Sequence, residues 1–77
     1  MKPADIERLS AYDGAQLSDA IDRWIILRRN SDRNRLILKR ALIDGAPFER
    51  IAEELDMTSK QISHIVCSEL DILYKHL

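Results

Sequence analysis

Apolar residues recur at steps of three and four along most of the chain, a spacing that predicts amphipathic helices. One such stripe runs from Asp13 to about Arg29. A second begins at Ser31 or Asp32, either of which suits an N-cap, and leads to Gly45. No segment shows the alternation of a strand. The apolar positions are Leu17, Ile21, Trp24, Ile25 and Leu27 in the first stripe, and Leu36, Ile37, Leu38, Ala41 and Leu42 in the second.

Turn and capping residues predict the remaining helices. Pro3 suits the first turn of a short helix that ends near Tyr12, and Pro47 suits the first turn of another. Thr58 and Gln61 have the spacing of a capping box, which starts a last helix that continues to the chain end. The expected fold class is therefore all-α, with four to five short helices. Its predicted core residues are Leu38, Leu42, Ile51, Ala52, Leu55, Ile62, Ile65 and Leu70.

A length of 77 residues permits a single helical domain. So small a core rarely stabilises by more than about 3 to 5 kcal/mol, so residues 1–30 are expected to pack on the rest or to form a homodimer. Cys67 has no cysteine to pair with, which fits a reducing cytoplasm. No signal peptide or membrane-spanning stretch is found, so we predict a soluble cytoplasmic protein without a membrane partner. Such a domain has little room for a catalytic pocket, and no enzyme activity or cofactor is expected.

Charge is distributed unevenly along a chain whose net charge is only −1. Residues 1–22 sum to −3, residues 23–40 to +6, residues 41–57 to −4 and residues 58–77 to zero. The basic segment is either a solvated face or a surface for an anionic partner. It contains Arg23, Arg28, Arg29, Arg33, Arg35, Lys39 and Arg40 against the single acid Asp32.

The segment from Phe48 to Cys67 has the spacing of a helix-turn-helix unit. Small Ala52 lets the second helix cross closely, and apolar residues around the turn fill the angle between the helices. Asp56 stands where many such units have Gly, and Asp tolerates left-handed backbone better than most residues. If Ile62 faces inward, the opposite face of the last helix consists of Lys60, His64, Cys67 and Asp71.

From Arg33 to Leu73 the chain runs as a basic helix, a Gly-containing turn and this helix-turn-helix unit. Its residues are RNRLILKRALIDGAPFERIAEELDMTSKQISHIVCSELDIL. In order and spacing they resemble the C-terminal, promoter-reading domain of sigma-70-type factors, and also small stand-alone sigma-like proteins of bacteria and prophages. The resemblance implies that the last helix enters the major groove of double-stranded DNA and that RNA polymerase is a candidate partner. The base-facing residues it implies are Ser59, Lys60, Gln61, Ser63 and His64.

The side chains at the start of the last helix suit these roles chemically. Lys60 suits guanine O6 and N7, and Gln61 suits adenine if it leaves its capping role. Unlike the sigma family, this helix is poor in Arg. Phosphate contacts are therefore expected from Thr58, Arg28, Arg29, Arg33, Arg35 and Arg50, although the arginines could instead face an acidic partner protein.

His64 and Cys67 lie three residues apart, a spacing that a metal could use, but they lack a third nearby ligand. We interpret them as a solvated pair and predict no metal site.

Three functions stay open from the sequence. The first is a sequence-specific DNA-binding transcription regulator of sigma-like type. The second is an adaptor that binds RNA polymerase or another transcription protein without reading DNA. The third is a phage packaging-type DNA-binding subunit that uses the same motif in an oligomeric ring.

Overall fold

A computed structural model of the chain describes residues 11–26 and 29–76. This part contains four helices: α1 (Gly14–Trp24), α2 (Ser31–Leu42), α3 (Phe48–Leu55) and α4 (Ser59–Tyr74). No residue in these two ranges lies in a strand, so the predicted all-α fold class is confirmed for the described chain. Of the predicted helix from Pro3 to Tyr12, residues 3–10 lie outside the described ranges, and the last two are not helical.

α1 and α4 begin with the same local structure, a capping box. Asp13 Oδ1 accepts a hydrogen bond from the Gln16 N–H at 2.8 Å, and Gln16 Oε1 accepts one from the Asp13 N–H at 2.9 Å. Thr58 and Gln61 repeat this exchange at 3.1 and 2.9 Å. Each box satisfies two backbone donors that a helix start leaves without a partner. Both predicted helix starts are confirmed.

α1 ends at Trp24, so the predicted end at Arg29 is wrong. The C-cap residue Ile25 is almost completely buried, and its carbonyl accepts a hydrogen bond from Arg35 Nη1 of α2 at 2.8 Å. The last carbonyls of a helix need partners from outside it, and α2 supplies one here. A tertiary contact thus stabilises this helix end, and local sequence signals do not report it.

α2 begins at Ser31, but its N-cap is Asn30 and not the predicted Ser31 or Asp32. The Asn30 side chain makes no capping hydrogen bond, and Asp32 lies in the first turn, where a negative charge favours the helix dipole. The helix ends at Leu42. Gly45 then adopts the left-handed conformation with φ of 69°, as expected of the glycine that follows a helix.

α3 and α4 are joined by a tight turn that contains one left-handed residue. Pro47 is the N-cap of α3, one position before the first turn in which it was predicted. At the other end Asp56 has φ of 56° and ψ of 47°, the conformation expected at this turn. The Met57 N–H donates to the Ala52 carbonyl at 2.8 Å, which closes the turn and leads the chain into the cap residue Thr58.

The four helices enclose one hydrophobic core, and α4 packs against each of the other three. Leu42, Leu55 and Ile65, predicted in the core, are partly buried at its edge. Leu36 is 48% exposed, because a helix that turns Ile37 inward carries Leu36 away from the same face. The buried apolar residues are Leu17, Ala20, Ile21, Ile25, Ile37, Leu38, Ile51, Ala52, Ile62, Val66, Leu70 and Leu73.

Trp24 lies at the end of α1, partly buried against the core. Its indole ring stacks on the imidazole of His76, with ring centroids 3.8 Å apart and ring planes within 2° of parallel. His76 follows α4, so this stack joins the ends of two helices that are far apart in sequence. No helix in the described part of the chain is both long enough and apolar enough to cross a membrane.

Candidate functional site

α4 presents an exposed ridge opposite its buried face. Ile62, Val66 and Leu73 are completely buried, and they fix the rotation of the helix about its axis. Helical periodicity then carries the intervening positions outward. The exposed residues of the ridge, as predicted, are Lys60, His64, Cys67 and Asp71.

A cleft of about 370 Å³ lies between the start of α4 and α2. It brings together Lys60, Gln61 and His64, three of the predicted base-facing residues. Arg33 of α2, predicted to contact phosphate, lines the same cleft, and Thr58 does so too. The fold thus places a basic residue of the 23–40 segment beside the start of the last helix. Sequence spacing alone does not establish this juxtaposition.

A second cleft, of about 600 Å³, lies between the starts of α3 and α4. Ser59, Lys60 and Ser63 line it on the α4 side, and Phe48 and Glu49 are among its α3 residues. Lys60 lines both clefts and therefore stands between them. Every predicted base-facing residue lines at least one of the two.

A third cleft continues along α4 beside the start of α2 and has a volume of about 540 Å³. Arg29, Arg33 and His64 line it together with Asn30 and Ser68. Because Arg33 and His64 also line the cleft at the start of α4, the two clefts form one continuous groove between α2 and α4, which Glu69 lines as well.

Two polar side chains that line this groove are buried, and the sequence pattern did not lead us to predict their burial. Asn34 is 5% exposed and Glu69 is 1% exposed. The Asn34 Oδ1 accepts hydrogen bonds from Arg33 Nε and Nη2, both at 3.4 Å, which holds the Arg33 side chain against α2. Their burial could have been predicted from their helical register. Asn34 lies three residues before the buried Ile37, and Glu69 lies three residues after the buried Val66, so each shares the inward face of its helix.

Four basic side chains of the 23–40 segment have acidic partners within the protein. The ion pairs join Arg23 to Asp19 (3.9 Å), Arg35 to Asp32, Lys39 to Asp22 (2.7 Å), and Arg40 to Asp44 (3.0 Å) and Glu54 (2.7 Å). Hydrogen bonds to Glu54 and then to Asp44 raise the pKa of the Arg40 guanidinium above its ordinary value. The fold itself therefore neutralises much of the excess positive charge.

The remaining basic side chains that were predicted to contact DNA are Arg28, Arg29, Arg33, Arg50 and Lys60. Arg29 and Arg33 form no ion pair with a carboxylate in the described ranges, and Lys60 of the ridge forms none either. Arg50 is exposed on α3. Arg28, also predicted to contact phosphate, lies outside the described residues. Arg29 and Arg33 thus line the groove between α2 and α4 without an ion pair, and Lys60 lies on the ridge beside it, whereas Glu69 lines the same groove and Asp71 lies on the same ridge.

His64 and Cys67 are both exposed on the ridge. Within residues 11–26 and 29–76, no three His, Cys, Asp or Glu side chains come together in a way that could hold a metal ion. Two side chains are fewer than the protein ligands of a zinc site.

Comparisons with protein-family models, with curated proteins and with solved structures give no match for this chain.

Proposed function

We propose that this chain is a sequence-specific DNA-binding transcription regulator of sigma-like type, in which α3 and α4 act as a helix-turn-helix unit. One observation carries the proposal: at the start of α4, Lys60 and His64 are exposed and share a cleft with Arg33, a cation without a carboxylate partner in the described chain. An exposed Lys at a helix start, beside an Arg without an ion pair, suits a polyanion whose groove admits a helix.

In the proposed complex the first two turns of α4 lie in the major groove. Lys60 and His64 face the base edges, and Ser59, Gln61 and Ser63 flank them. Because the buried face of α4 fixes its rotation, these side chains keep their direction before DNA binds. Such preorganisation supports the proposal, since ordering side chains on binding costs free energy.

The phosphates are contacted from α2 and from the two helix starts. Arg29 and Arg33 meet one DNA strand from the groove beside α4, and Thr58 meets it at the start of α4. Arg50 is available on α3. We give Arg35 no phosphate contact, because its guanidinium already donates within the fold to Asp32 and to a backbone carbonyl.

The role in transcription rests on the resemblance of residues 33–73 to promoter-reading domains of sigma-70-type factors. A DNA-reading protein of this type acts at promoters, with RNA polymerase as its protein partner. Binding to RNA polymerase is the property that distinguishes a transcription regulator from a DNA-binding protein with another function.

A mobility-shift experiment with the full chain tests the proposal. Genomic fragments are compared with random duplexes of equal length at low salt, and a few fragments should shift at protein concentrations that leave the random duplexes free. Capture of RNA polymerase without any DNA shift would favour the adaptor function. A ring-sized mass in solution, together with DNA binding that shows no sequence preference, would favour the packaging-type subunit.

A further inference from the structure

The capping box at the start of α4 restricts what one base-facing residue can offer to DNA. Gln61 Oε1 accepts the hydrogen bond of the Thr58 N–H at 2.9 Å, and this donor determines which end of the amide is the oxygen. The amide oxygen is therefore turned back toward the helix start, while the side chain as a whole is exposed. The cap uses one of the two acceptor positions of the amide oxygen, and the Nε2 group, a donor, takes no part in it.

This geometry disfavours the usual pairing of glutamine with adenine. That pairing uses the amide oxygen and the amide nitrogen together against adenine N6 and N7. To make it, Gln61 would have to turn its amide oxygen from the helix start toward the base, which weakens the hydrogen bond from the Thr58 N–H that completes the capping box.

The other side chains in the first two turns of α4 carry no carboxylate, and the acid nearest to them among the cleft residues is Glu49 of α3. Lys60 is an exposed ammonium group, which has donors only. The hydroxyl groups of Ser59 and Ser63 act as donor or acceptor, so they adapt to either kind of base edge. No Asp or Glu occurs in α4 before Glu69, which is buried. Lys60 and Gln61 therefore give the start of α4 a donor-rich surface.

We infer that α4 selects guanine on the strand it reads, with Lys60 and the Nε2 group of Gln61 as the specificity-determining donors. Guanine is the base that offers two acceptors, N7 and O6, in the major groove, whereas thymine offers one acceptor beside a methyl group, adenine offers one beside a donor, and cytosine offers a donor. The inference rests on the proposed function, because it specifies which DNA sequences that function recognises.

Selection from a pool of randomised duplexes tests this inference with the full chain. The wild-type protein should enrich duplexes with guanine at one or two neighbouring positions. Replacing those guanines by 7-deazaguanine, which lacks only the N7 acceptor, should weaken binding by about fivefold or more. Lys60→Gln should lose the preference, whereas Lys75→Gln removes the same charge at the far end of α4 and should keep it.

Gln61→Glu tests the role of Gln61 most specifically, because glutamate also forms a capping box and so preserves the helix start. It replaces the outward donor by an acceptor, and the preference at its position should move from guanine toward cytosine, whose N4 group donates. The readout is the ratio of base preferences, since an added negative charge weakens binding to every sequence. Unchanged thermal melting of the variant confirms that the cap is intact.

The outcomes separate this inference from the proposed function. Enrichment of a defined site without guanine, or a site insensitive to 7-deazaguanine, overturns the guanine inference and leaves DNA reading standing. Absence of any enriched sequence overturns the proposed function, and the inference with it.

Discussion

Arg40 of α2 holds Glu54 of α3 through three hydrogen bonds, from Nε to Oε1 at 3.2 Å and from Nη2 to Oε1 and Oε2 at 2.9 and 2.7 Å. The planar guanidinium matches the carboxylate, so the pair restrains direction as well as distance. It joins the helix before the Gly45 turn to the helix after it. The orientation of α3, against which α4 packs, is therefore braced from α2.

We expect Arg40→Gln and Glu54→Gln each to lower the melting temperature slightly, because exposed ion pairs stabilise little in water. The double variant should lose less than the sum of the two single losses, and the coupling should shrink in 1 M salt, about the concentration at which the Debye length falls to 3 Å. Arg23→Gln, which breaks a 3.9 Å pair within α1, is the matched control. Strictly additive losses would contradict the brace.

Asp56 is the one non-glycine residue with positive φ in the described chain. Asp56→Gly should raise the free energy of unfolding by about 0.5 to 1 kcal/mol, since glycine adopts this conformation without a steric penalty. Glu53→Gly, at an exposed helical position nearby, should lower it by a similar amount. Urea denaturation of both variants measures the difference. A loss of stability in Asp56→Gly would show that the aspartate side chain has a stabilising role of its own.

The two apolar residues Ile51 and Leu55 of α3 should differ in their contribution to stability. Ile51 is completely buried, so Ile51→Ala should cost about 2 to 5 kcal/mol, comparable with the whole stability of a domain this size. Leu55 is only partly buried, and Leu55→Ala should cost less. Ile51→Val, with an expected cost of about 0.5 to 1.5 kcal/mol, keeps the comparison measurable if the alanine variant does not fold. Equal losses in Ile51→Ala and Leu55→Ala would contradict the burial described.

α1 contributes Leu17, Ala20 and Ile21 to the shared core, and its C-cap residue Ile25 is buried there as well. A fragment of residues 31–77 should therefore expose the apolar surface that α1 covers, bind a hydrophobic dye and melt without a cooperative transition. Circular dichroism and dye fluorescence of the fragment and the full chain measure this. If the fragment instead melts cooperatively as a monomer with dispersed NMR signals, α1 is not required for the fold of the other three helices.

The starts of α1 and α4 could be predicted because capping is local chemistry. Asp13 with Gln16 and Thr58 with Gln61 carry the complete signal within four residues. The rotation of α4 was also predictable, since its apolar positions recur with the helical period. The end of α1 was not predicted, and the hydrogen bond made there comes from Arg35, ten residues away in the sequence, which local signals do not report.

At the candidate site, too, the sequence predicted only part of the distribution of charge. The sequence predicted a basic segment and, because the last helix is poor in Arg, a set of phosphate-facing arginines outside that helix. Which cations have acidic partners depends on tertiary contacts such as Lys39 with Asp22, and so could not be predicted. The buried Asn34 and Glu69 were missed because polar residues were assigned to the surface, although their helical register points inward.

Binding of the full chain to a selected duplex and to a random duplex, over a series of salt concentrations, tests the proposed DNA reading most directly. Lys60→Ala should lose about 1 to 3 kcal/mol on the selected duplex and little on the random one. Arg33→Ala should weaken both alike and reduce the slope of log K against log salt by about 0.9. Lys39→Ala, whose ammonium group is paired with Asp22, should change neither property.

If α4 reads DNA sequence, Lys60→Ala should weaken binding to the selected duplex alone, whereas Arg33→Ala should weaken binding to both duplexes. Equal affinity of the wild-type protein for the two duplexes, with Lys60→Ala and Arg33→Ala weakening both to the same extent, would contradict it.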